Sequence, residues 1–147
     1  MPDQPGWTAL QRKERRSFIM VRFSKEPINP ADGYRIIETN GPGASGSIVM
    51  HYSVVKAEGK NGTVTGIEYG VNGDVEENLE AIAAAIKARW QVGEPVLIRR
   101  NGRVGVGEII SLVAVSSLNS KDSFAACRFG LDCLKQMPTI LKREIYE

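Results

Sequence analysis

Apolar residues at Leu79, Ile82, Ala83, Ile86 and Trp90 recur at the spacing of one helical face. Asp74 opens this stretch with Glu77 three residues on, a capping-box-like start. The spacing predicts a long amphipathic helix from Asp74 to Trp90. A second is predicted from Ser120 to Gln136, with Asn119 as its N-cap and Phe124, Cys127, Leu131 and Leu134 as its core stripe. Pro138 ends it. Such helices bury one face each, and the β-rich segments around them supply the cover.

Those segments are short and bounded by turn residues. Ser17 to Phe23 reads as a strand, and Asn29 with Pro30 starts a short helix towards Ile37. The glycine-rich run Asn40 to Gly46 precedes a strand and lacks a Walker lysine, so it reads as a connector. Ser47 to Lys56 is a strand. Thr63 to Val71 is expected to pair back on it as a hairpin across Asn61-Gly62. Pro95 to Arg100, Glu108 to Ser116 and Thr139 to Tyr146 complete the strands, the second of them central. Two long helices among mostly antiparallel strands make an α+β fold. The 147 residues suit one domain, here 17–147, with 1–16 as a polar tail.

The bulk numbers exclude several function classes. A net charge of +2 lacks the strongly basic stripe of a nucleic-acid binder. No apolar run approaches the roughly 18–20 residues of a membrane span, and the N-terminus lacks a signal peptide's apolar core. Cys127 and Cys133 lie six residues apart, on different faces of the predicted helix. They read as free thiols suited to the cytoplasm. His51 is the single histidine, in mid-strand, so neither a nucleophilic triad nor a histidine metal site can be assembled.

What remains is a basic cluster. Lys135 ends the last helix, and Lys142 and Arg143 follow on the terminal strand. A lysine there complements the helix dipole, and a charged chain end is often solvated surface.

The stretch from Val96 to Glu144 adds a pattern. Arg100, Gly102, Gly107, Glu108, Ser116, Phe124, Ala126, Asp132, Lys135, Pro138, Lys142, Arg143 and Glu144 stand in an order that resembles the large, catalytic subunit of molybdopterin synthase. Upstream, Glu26-Pro27-Ile28, Gly46-Ser47-Ile48-Val49, Ile67-Glu68-Tyr69 and Ala88-Arg89-Trp90 extend the resemblance over 17–147. It implies an α/β-hammerhead-type fold and a homodimer, assembled as a heterotetramer with a ubiquitin-like small subunit. The implied reaction moves sulfur from that subunit's C-terminal Gly-Gly thiocarboxylate to cyclic pyranopterin monophosphate, giving the dithiolene of molybdenum cofactor biosynthesis. No metal or organic cofactor is implied for the large subunit.

By the match, Lys135 and Lys142 take the family's two key lysine positions. Lys135 is the implied general acid/base or charge stabiliser, and Lys142 the implied contact to phosphate or acyl oxygen. Lys56, Arg100, Asn119 and Arg143 are candidates for binding substrate or the partner's tail. The sequence also departs from the family. Asn119 and Ser120 stand for a His-Arg pair, Lys56 for an arginine, Arg99 for the histidine of His-Arg-x-Gly, and Leu141 for a tryptophan. An alternative is therefore a catalytically degenerate paralogue that binds or regulates a ubiquitin-like sulfur carrier.

Overall fold

A computed structural model describes residues 20–41 and 43–147. The 1–16 tail and the first three residues of the strand expected from Ser17 lie outside the described residues. In chain order the elements are β1 (Val21–Ser24), α1 (Asp32–Asn40), β2 (Ser47–Val54), β3 (Glu58–Gly59), β4 (Gly62–Val71) and α2 (Val75–Arg89). They continue with β5 (Val96–Arg100), β6 (Gly102–Gly105), β7 (Ile109–Ser117), α3 (Ser120–Lys135) and β8 (Ile140–Tyr146).

The first sheet has the order β1-β5-β7-β2. β1 runs parallel to β5, and the other pairings are antiparallel. β5 and β7 are central, as the apolar run of β7 leads one to expect. Because side chains alternate across a strand, these two feed both faces. Val96, Ile98, Leu112 and Ala114 meet Ile36 and Ile37 of α1. Leu97, Val113 and Val115 meet Leu79, Ile82 and Ile86 of α2 and Ala126, Cys127 and Leu134 of α3. In the second sheet β4 is the hub, pairing with β3, β6 and β8, all antiparallel. Its core is Val55, Val64, Ile67, Tyr69 and Val104. This is the expected α+β architecture, with two long helices and a third, shorter one among the described residues.

Three local expectations are corrected. β4 does not pair back on β2; β2 pairs with β7 from Ser47↔Ser117 to Val54↔Ile109. Val55, 2% exposed, exchanges backbone hydrogen bonds with Gly107 and Glu108 and then enters the second core. The chain thus changes sheets at Val55, and Asn61-Gly62 closes only the short β3–β4 pairing. Secondly, α1 begins at Asp32 rather than Pro30. Asn29 Oδ1 accepts from the Ala31 N–H and Asn29 O from the Asp32 N–H, so Asn29 closes a turn ahead of the helix.

Thirdly, Phe124 is 64% exposed, not core. The buried face of α3 is Ser123, Ala126, Cys127, Gly130 and Leu134. A Cβ on Gly130 would lie 3.2 Å from both Ile86 Cδ1 and Val113 Cγ1. At Gly130 α3 therefore sits too close to sheet and α2 for a large side chain, and the buried residues before Leu134 are all small.

Both helix starts match expectation. Asp74 Oδ1 accepts from Glu77 N at 3.0 Å, and Asn119 Oδ1 from Asp122 N at 2.9 Å. Cys127 is buried and Cys133 half-buried, both as free thiols. Burial pushes the Cys127 thiol up from the ordinary 9.0 to about 11. A raised folded-state pKa favours the neutral thiol in the folded state. Its contribution is complete below pH about 9 and is lost as pH rises towards about 11. Urea titrations at stepped pH should show that loss, on the order of 2–3 kcal/mol for this group, and Cys127→Ala should flatten this part of the slope.

Candidate functional site

The two sheets meet where β5 runs into β6 and where β2 and β7 approach Val55. Asn101-Gly102 carries the chain across, with Gly102 at φ +84. α3 runs back along the first sheet from the end of β7, so its C-terminus arrives at this junction. β8 then joins β4 in the second sheet.

Lys135 is the last residue of α3 and is exposed. Lys142 lies on β8 directly opposite Tyr69 of β4, and is also exposed. Arg99 lies between these two neighbourhoods. Its Nη1 donates to the carbonyl of Leu134, the residue before Lys135, at 3.0 Å. Its guanidinium carbon stands 5.0 Å from the centroid of the Tyr69 ring, within cation–π range. Arg99 is only 9% exposed, and its Nε has no hydrogen-bond partner among the described residues. Burial pulls its pKa below the ordinary arginine value, opposed by Tyr69. Burial raises the Tyr69 phenol, with Arg99 opposing and Glu144 adding to the rise.

Arg100 points to the opposite side of β5. At 6% exposure it has little surface to offer a ligand. Its Nη2 donates to Arg103 O at 3.2 Å, and its Nη1 lies 3.9 Å from Glu108 Oε2. Lys56 is exposed and follows Val55. Arg143 is exposed beside Lys142 on β8 and pairs in register with Glu68. Adjacent strand residues alternate, so it faces away from Lys142 and Tyr69.

Asn119 stands apart. It caps the start of α3, and sixteen helical residues separate it from the end of Lys135, about 24 Å at the α-helical rise. Its Oδ1 accepts from Asp122 N and its Nδ2 donates to Asp122 Oδ2, so both ends of the amide are engaged.

A cavity of about 620 Å³ opens at that far end, lined by Met20, Ile36, Ser45, Val92, Ser116 and Leu118 among others. Its single charged lining residue among those described is Glu94, so it does not suit an anion. The glycine-rich loop borders it as a connector: Ala44 N donates to Gly41 O and Gly46 N to Ser117 O. Among the described residues no three His, Cys, Asp or Glu side chains group to hold a metal, and no helix is long and apolar enough to cross a membrane.

The lysine end of the junction is thus the anion-binding candidate. Tyr69 was visible in sequence only as part of Ile67-Glu68-Tyr69, and Arg99 only as an unusual residue in a histidine's place. The signal that marks Arg99 is two arginines ending an otherwise apolar strand, where a charge buried with the strand needs a reason. Asn119, by contrast, should behave as a cap. Asn119→Ala is expected to lower stability by about 1 kcal/mol, measured by equilibrium urea unfolding.

The family described as MoaE protein matches residues 23–137. The molybdopterin synthase catalytic subunit of Nostoc sp. is 32% identical over 106 residues, 71% of this chain and 64% of that protein. The chain thus spans just under two thirds of that relative's length. The crystal structure of molybdopterin synthase from Staphylococcus aureus superposes with a TM-score of 0.76 at 25% identity, covering 87% of this chain and 91% of that one. A complex of subunits 1 and 2 of molybdopterin-converting factor from Helicobacter pylori shares the fold, with TM-score 0.69, 14% identity and 86% of each chain covered.

Proposed function

The chain belongs to the MoaE protein family, and from that membership we propose that it is a catalytic subunit of molybdopterin synthase. It would transfer sulfur from a small subunit's C-terminal thiocarboxylate to cyclic pyranopterin monophosphate. The observation that carries this reading is the junction itself: Arg99 contacts both the residue before Lys135 and the cross-strand partner of Lys142.

The chemistry needs fixed cations. The thiocarboxylate and the cyclic phosphate are both anions, and attack on the thioacyl carbon builds negative charge on oxygen before the carbon–sulfur bond breaks. A positioned ammonium stabilises that oxygen and can pass a proton. Lys135 is assigned the charge-stabilising or acid/base role. Lys142 is assigned the phosphate or acyl oxygen, with Lys56 as an outer cation; Arg100, buried on the opposite side of β5, and Arg143, facing away from Lys142, are left out of the site. Both principal lysines are exposed in the isolated chain. Two unit charges 4 Å apart interact by about 1 kcal/mol in water and about 4 kcal/mol at an effective dielectric near 20. A covering partner multiplies the lysines' effect, which is the physical case for a tail-inserting small subunit. A homodimer in the cytoplasm completes the proposed assembly.

One observation favours the alternative of a degenerate, partner-binding paralogue. Asn119, in place of the family histidine, uses both ends of its amide on Asp122. It therefore offers a substrate less than a free cationic pair does. Reconstitution with cyclic pyranopterin monophosphate and the thiocarboxylated small subunit of the same organism separates the readings. Dithiolene product is expected. Lys135→Ala should reduce turnover roughly 100-fold or more with a nearly unchanged melting temperature. Tight small-subunit binding without product would favour the paralogue, and neither binding nor product would overturn both.

A further inference from the structure

Arg99 is costly for a structural residue. It sits at 9% exposure with its Nε unpartnered among the described residues. Buried, incompletely hydrogen-bonded charges are weak contributors to stability, and apolar replacements of similar volume are often tolerated or stabilising. Its two contacts lead one to each lysine. Leu134 O belongs to the last turn of α3, whose carbonyls have no N–H of the helix to accept from. Arg99 fills that vacancy at 3.0 Å and places positive charge at the negative end of the helix dipole. Tyr69, under the other side of the guanidinium, shares its cross-strand row with Lys142. The α3 end and the β4–β8 ribbon lie on different layers, and Arg99 bridges them.

We propose that Arg99 is a positioning residue that locks the α3 terminus and the β4–β8 ribbon into one frame, so that Lys135 and Lys142 act on the same substrate. The proposal rests on the sulfur-transfer reading for its chemistry and on the two Arg99 contacts for its geometry. Misplacing a catalytic group by about 1 Å can cost on the order of 100-fold in rate, so losing the bridge should appear in turnover before it appears in folding.

The test compares Arg99→Met and Arg99→Lys with wild type, by steady-state kinetics with both substrates and by amide hydrogen exchange. Arg99→Met should fold with a melting temperature at or above wild type. Its kcat should fall roughly 10- to 100-fold while KM for the pterin stays within about threefold. Arg99→Lys, which keeps a donor for Leu134 O, should recover part of the loss. In Arg99→Met, exchange should quicken together at residues 133–136 and 140–143 but not in α2. Unchanged kcat, or exchange that quickens in one segment alone, would overturn the proposal. Should Arg99→Met not fold, Arg99→Gln and Arg99→Lys carry the same comparison. A wild type that makes no dithiolene would sink the activity reading, and exchange alone then decides the bridge.

Discussion

The pairing of β5 with β7 is the constraint on which the other elements depend. All five residues of Val96–Arg100 are buried, as is β7 from Ser111 to Ser117. Their alternation supplies one apolar face to α1 and the other to α2 and α3. Each buried Leu, Ile or Val contributes about 1.5–3 kcal/mol relative to exposure, so the double-sided ladder is the largest concentration of burial in the first sheet. Both strands also leave that sheet at the same end, through Gly102 and Gly107, each with positive φ. Whatever stands at that end is held by the ladder behind it.

What stands there is a pair of arginines continuing an apolar strand. Alternation sends them to opposite faces. Arg100 ties the β6–β7 turn through Arg103 O and Glu108, and Arg99 reaches across to α3 and Tyr69. One dipeptide therefore clamps the β6–β7 turn on one side and contacts the end of α3 and Tyr69 on the other. The lysines themselves remain in water at the rim, where long cationic side chains keep their heads solvated. A buried base with exposed cations suits a site completed by a second chain.

Asn119 is a well-formed helix cap, far along α3 from Lys135. Arg99 lies within the junction, where its long, always-charged side chain spans from Leu134 to Tyr69. Leu141 is 55% exposed on the ribbon face that also carries Arg143.

Local patterns in the sequence determined the two long helices, their Asp74 and Asn119 caps, most strands and the α+β class. These rest on periodicity and short-range hydrogen bonding, which act within a few residues. Strand partners were not legible in the same way. The Asn61-Gly62 signal suggested a β2–β4 hairpin, but β2 paired with β7, sixty residues away in sequence, because Val55 carries the chain into a second core. Phe124 has helical spacing suited to a stripe, yet the close approach of α3 at Gly130 turned it to solvent. Only the tertiary structure decided that Arg99 contacts both the end of α3 and Tyr69 of β4, because those contacts depend on where a helix end and a strand ribbon come to rest after packing.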